Sequence, residues 1–147
     1  MLKLGGADFS QGRSTFRDHL DSFPEATAKV YVRLLVGDVD SIVYAQLDTG
    51  AAWSILDSSI AHSLGLFETD DTSTKLDTRF GRIGGRLVRI PIRFVADQGT
   101  SLDANSTFFV SPDWPAGLTF LGYSGCLDSI RFALDPRLNH FYFGSGA

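Results

Sequence analysis

Between residues 28 and 144 the chain is a succession of short apolar runs cut by glycine, aspartate and proline, and no run has the length or period of a long helix. That pattern restricts the fold more than anything else in the sequence. In the clearest run, Val88, Ile90, Ile92 and Phe94 alternate with Arg89, Pro91 and Arg93, the period of a strand with one buried face. Two runs rich in β-branched and aromatic residues flank Gly37-Asp38, as in a hairpin. Further strands are expected at residues 106–110 and 118–122, and a last hairpin in the tail, ending in Phe141-Tyr142-Phe143-Gly144. Glycines 81, 84 and 85 stand just before the alternating run, where a hairpin tip is expected. One short helix fits residues 57–65: Asp57 is a capping residue, Ile60 and Leu64 lie one turn apart, and Gly65 ends it. The expectation is a mainly-β protein with one or two short helices. A single domain is expected over residues 28–147, preceded by a polar, glycine-containing arm at 1–27 that is partly ordered.

The bulk properties fit that picture. A length of 147 residues with 44% hydrophobic content suits one domain with a real core. The formal charge of -4 argues against nucleic-acid partners and anionic membrane surfaces, both of which select basic faces. No apolar run approaches the roughly 18 residues of a bilayer span, and the first residues lack the apolar core of a secretory signal. With one cysteine, Cys126, no internal disulfide forms, so a reducing, cytoplasmic setting is expected. His19, His62 and His140 show no metal-ligand spacing, and neither a metal nor another cofactor is expected. Cys126 is expected to be a small buried hydrophobe.

The chemistry concentrates at Leu47-Asp48-Thr49-Gly50-Ala51. A carboxylate ends an apolar strand, at the border between core and cleft. Gly50 lets the backbone turn tightly and approach a ligand, and Thr49 offers a hydroxyl that can lock one such loop against another. Ser54-Ile55-Leu56 follows and leads into the short helix. With its context, this stretch resembles the single-lobed, retropepsin-like aspartic proteases. Thr119-Phe120-Leu121-Gly122 is similar to the family's apolar pair plus glycine, which packs beneath the catalytic loop and precedes a C-terminal helix. Phe80, Gly81, Arg82, Ile83, Gly84 and Gly85 stand where the family has its flap. The resemblance covers residues 28–144 and implies a closed β-barrel or sandwich. It implies an aspartic endopeptidase with Asp48, Thr49 and Gly50 catalytic, and with Ala51, Ala52 and residues 80–85 against the substrate peptide.

The triplet occurs once. The reaction needs two carboxylates about 3 Å apart that share a proton, one acting as base on water and the other as acid toward the carbonyl. No second loop is present: Leu76-Asp77-Thr78-Arg79 has Arg where Gly is required, and Asp103-Ala104-Asn105 lacks both Thr and Gly. The partner Asp48 is therefore expected from a second copy in a symmetric homodimer. The resemblance places the terminal segments, including 141–144, at its interface. Two departures stand out. Ala51 replaces the serine of pepsin-like sites, whose hydroxyl donates to the catalytic carboxylate. Ala52 and Tyr123-Ser124 occupy positions where retroviral enzymes carry a substrate-gripping Asp and its Arg. The joint loss resembles bacterial retropepsin-like proteins, and it keeps open a second reading as a dimerising peptide-binding module with weak or no hydrolysis. The arginines at 79, 82, 86, 89 and 93 form a basic stripe around the expected flap, either a solvated strand face or a preference for acidic substrate segments.

Overall fold

The computed structural model describes residues 1–69 and 71–146; Ala147, the last residue of the expected domain, lies outside them. In chain order the strands begin with β1 (Lys3–Leu4), β2 (Ala7–Asp8), β3 (Gly12–Thr15), β4 (Tyr31–Val36), β5 (Val43–Leu47) and β6 (Ser54–Ile55). The helix α1 (Ser58–Ser63) follows, then β7 (Thr74–Thr78), β8 (Gly81–Phe94), β9 (Gln98–Gly99), β10 (Leu102–Val110) and β11 (Phe120–Leu121). A single turn of 3₁₀ helix, Leu127–Ser129, leads into β12 (Ile130–Asp135) and β13 (His140–Ser145). The strands run β10-β6-β11-β5-β4-β8, and β8 pairs back onto β10, which closes a six-stranded barrel. The mainly-β expectation and the closed barrel hold.

The alternation in β8 does what its period requires. Ile90, Ile92 and Phe94 point into the barrel and Arg89, Pro91 and Arg93 point out. They meet Val32, Leu34, Val36, Phe108 and Leu121 from the other staves. Each such buried side chain contributes roughly 1.5–3 kcal/mol. The short helix also forms as expected. The Asp57 carboxylate accepts from the Ser59 amide at 2.8 Å, and Gly65 takes a left-handed φ of 72° just past the end. A second apolar cluster of Ile55, Ile83, Phe109, Trp114 and Leu118 lies outside the barrel core, with Phe23, Leu76 and Phe120 packed on it.

Three elements carry structure that the sequence does not announce. The segment expected as an arm supplies β3, which lies between β13 and β9 in a four-stranded sheet ordered β12-β13-β3-β9. Phe16 and Leu20, just after it, are buried. The C-terminal helix implied by the resemblance is reduced to the 3₁₀ turn, because the chain enters β12 directly. The tail 141–144, which the resemblance places at an interface, packs within the chain. Both edges of β13 are paired within the chain, and Phe141 and Phe143 are fully buried in its own core.

Candidate active site

Strand β11 is threaded between the two halves of the Asp48 loop. Phe120 pairs in parallel with Gln46 on β5 and antiparallel with Ile55 on β6. The loop that leaves β5 and returns as β6 is thus held at both ends by one short strand. The Asp48 amide donates to the Leu121 carbonyl at 2.9 Å. The amides of Tyr123 and Ser124 donate to the carbonyls of Ala51 and Ala52 at 2.8 and 2.9 Å. Main-chain bonds therefore brace the loop where the substrate-gripping ion pair of retroviral enzymes is missing. Within the loop, the Gly50 amide donates to the Asp48 carboxylate at 3.0 Å. Asp48 is half-buried, and Thr49 and Gly50 are exposed.

Gly122 is the pivot of this arrangement. Its amide donates to the buried Ser54 hydroxyl at 2.9 Å, and a Cβ at this position would overlap the Trp53 carbonyl and the Ser54 nitrogen at 2.8 Å. These atoms are backbone and cannot swing aside. Gly122→Ala is expected to lose about 2–3 kcal/mol of stability through overpacking. Urea titration checks this: an unshifted midpoint would show that the loop accommodates a methyl group.

Asp48 opens into a cleft of about 430 Å³. Gly50, Ala51, Ala52 and Trp53 continue the floor, and Gln46 and Lys29 flank it. Ile55, Trp114 and Phe120 line the cleft with apolar surface, and Leu76, Asp77, Thr78 and Arg79 line it as well. A hairpin thus stands where the resemblance places a flap, but its parts are redistributed. Its tip is Arg79-Phe80, between β7 and β8, and the strand that faces the cleft is β7. Gly81 follows the tip with φ 98°. Gly84 and Gly85 lie inside β8, and a Cβ at Gly85 would strike the Val110 carbonyl. Gly85 lets β8 pass close to β10, whereas a Cβ at Gly84 would meet Lys75 and Thr72, and neither glycine shapes a tip. Of the residues expected at the substrate, Asp48, Gly50, Ala51 and Ala52 line the cleft, Thr49 sits beside it, and residues 80–85 do not line it.

The basic stripe is spent on local partners. Arg79 meets Glu25 at 2.6 Å, Arg82 meets Asp77 at 2.7 Å and Arg93 meets Asp103 at 2.7 Å. Arg86 donates to the Leu66 carbonyl, and Arg89 to Thr107 and the Gly125 carbonyl. The stripe is therefore no open field for acidic substrates. Asp77 shares the cleft with Asp48, but Arg82 holds its carboxyl below the usual carboxylate range. Cys126 is buried, and burial pushes its thiol up, away from nucleophilic use. Among the described residues no group of His, Cys, Asp or Glu side chains is placed to hold a metal ion.

Trp114 and the inner face of β7 were not marked by the sequence. Trp114 lies in a proline- and glycine-containing loop, and β7 has a single apolar residue, Leu76, among polar ones. The only signal was the near-match Leu76-Asp77-Thr78-Arg79, which belongs to the flap.

No protein-family model matches the chain, and no curated protein matches it in sequence. Among solved structures, it is similar to a retropepsin-like aspartic protease from Rickettsia conorii, at 20% identity and a TM-score of 0.57. That match covers 90% of this chain and 89% of the other. It is also similar to the retroviral protease-like domain of Ddi1 from Leishmania major, at 17% identity and a TM-score of 0.45, over 80% of this chain and 93% of that one.

Proposed function

From a chain with the retropepsin-like fold, we propose an aspartic endopeptidase in which Asp48 from each of two copies forms the catalytic pair. One observation carries this reading. The Asp48 carboxylate stands at the head of a loop braced by β11, faces a peptide-sized cleft, and has the Gly50 amide as its hydrogen-bond partner and no cation paired with it among the described residues. A carboxylate held for structure is ordinarily paired or capped, as Asp57, Asp77 and Asp103 are here. The known activity of the Rickettsia conorii protein's class adds weight, since the fold is shared over nearly its whole length.

In the reaction, the ionised carboxylate takes a proton from water while the oxygen adds to the scissile carbonyl carbon. The protonated partner donates to the carbonyl oxygen. The carbon–nitrogen bond then breaks, and the amine leaves with a proton from the pair. Gly50 keeps the loop low enough for an extended peptide to lie across it, and β7 provides a strand beside which that peptide can align. The test is direct: incubate the purified chain with a mixed peptide library and detect new termini by mass spectrometry. No new termini at any pH between about 3 and 8 would overturn the reading. The peptide-binding alternative draws on Ala52 and Tyr123, which cannot supply the charged grip; retained binding without new termini is its signature.

Residue 51 sets the expected pH profile. A hydroxyl there would donate to the ionised Asp48 and extend activity toward acid. Ala51→Ser is therefore expected to move the acidic limb of the kcat/KM profile to lower pH. A limb that stays in place or moves toward alkali would show that residue 51 does not tune the carboxylate.

A further inference from the structure

The flap tip is not free. Arg79 and Phe80, its two turn residues, are held by a stretch of the chain's own N-terminal segment. The Arg79 guanidinium meets the Glu25 carboxylate at 2.6 Å, and the Glu25 side chain is only 16% exposed. The same guanidinium lies 5.6 Å from the Phe23 ring centroid, 5.1 Å from Phe80 and 5.7 Å from Phe120. Phe80 stands edge-on to Phe23 at 6.4 Å and to Trp114 at 5.3 Å. Phe23 in turn packs on the second apolar cluster. A charge-assisted bond, three guanidinium–ring contacts and two edge-to-face ring pairs thus meet on a two-residue turn.

We propose that Phe23 and Glu25 form an intrachain strap that holds the Arg79-Phe80 tip against Trp114 and Phe120, keeping the cleft wall closed until an incoming peptide lifts it. Arg79 and Phe120 both line the cleft and touch each other, so lifting the tip from Phe120 opens the cleft on that side. The strap answers to displacement rather than to physiological pH. Glu25 is faced by Arg79 from the tip, Lys29 from its own segment and Tyr31 from β4. Arg79 holds its carboxyl below the usual range, with Lys29 adding to the effect against burial. A carboxyl with a depressed folded-state value keeps its contact above the ordinary carboxylate range and loses it only as pH falls through that lowered value. At neutral pH the strap is intact.

Hydrogen exchange on the full chain tests this without reference to catalysis. In Glu25→Gln, the amides of residues 78–82 are expected to exchange about tenfold faster than in wild type, with β10 unchanged. The double variant Glu25→Arg/Arg79→Glu, which restores an opposite-charge pair, is expected to bring protection back toward wild type. Unchanged exchange in folded Glu25→Gln would overturn the strap. So would a double variant no better protected than Glu25→Gln. Faster exchange across β10 as well would indicate general loosening and would equally reject a local strap. If the chain cleaves peptides as proposed, Glu25→Gln is also expected to raise kcat/KM for long peptides. That arm rests on the endopeptidase reading and the exchange arm does not, so their failures are distinguishable.

Discussion

Asp48→Asn is expected to lower kcat/KM for peptide cleavage about a thousandfold or more while leaving the fold in place. The size follows from the chemistry. General acid–base catalysis contributes roughly 10²–10⁴, and groups that act as one unit lose most of their joint effect when either fails. A dimer of the variant has no ionisable group at either position of the pair, so no base remains to take the proton from water. The small effect on stability follows from the contacts. Among the described residues the Asp48 carboxylate receives one hydrogen bond, from the Gly50 amide, and the side-chain carbonyl oxygen of Asn can accept the same bond. It makes no ion pair among the described residues whose loss would unfold the loop, and the bracing bonds from Leu121, Tyr123 and Ser124 are to backbone atoms that the substitution does not touch. Circular dichroism and a thermal melt, run beside the cleavage assay, separate the two consequences. Activity above about a hundredth of wild type would reject Asp48 as the catalytic group. Lost activity with lost melting cooperativity would place its role in the fold instead.

What the sequence revealed and what it hid divide along physical lines. The Asp48 loop was legible because local rules agree there. An apolar strand, a carboxylate, a small turn residue and a resumed strand all point to one geometry. The same holds for β8, whose period of two is unbroken from Val88 to Phe94, and for α1 with its cap and its terminal glycine. The hairpin turns at Arg79-Phe80, ahead of Gly84 and Gly85, which lie within β8. Gly85 makes room for the close pass of β8 against Val110 and Phe109, and Gly84 for Lys75 and Thr72. Nothing local distinguishes a glycine that turns from one that makes room. Strand β3, Gly-Arg-Ser-Thr, has no apolar residue to signal it; backbone pairing to β13 and the contact of Gly12 with the Phe143 ring hold it in place. The tail was legible as strands, but not the packing of its phenylalanines against Phe94 in the chain's own core, which no local pattern announces.

That last point sharpens the second large expected effect. Cleavage activity per chain is expected to fall on dilution, about tenfold for each tenfold step once the concentration lies below the dimer dissociation constant. The reason is that, on the two-copy reading, a single chain brings one Asp-Thr-Gly carboxylate and the second copy brings its own Asp48 to it. Asp77 lines the same cleft, but Arg82 engages both of its oxygens, at 2.7 and 3.3 Å. The surface available for the second copy is the loop itself, where Thr49 and Gly50 are exposed, and the adjoining Tyr123, 51% exposed. Strand β13 has both of its edges paired within the chain. A scan from about 0.1 to 100 μM brackets dissociation constants in the micromolar range, where the fall is expected. Sedimentation over the same range should follow the activity. Mixing gives the cleaner measurement. When wild type is combined with an equal amount of Asp48→Asn, with dimers formed and exchange complete, a wild-type chain meets a wild-type partner about half the time. Activity per wild-type chain is then expected to halve. An unchanged value would mean that each chain works alone, and the two-copy site would have to be abandoned even with Asp48 proven catalytic.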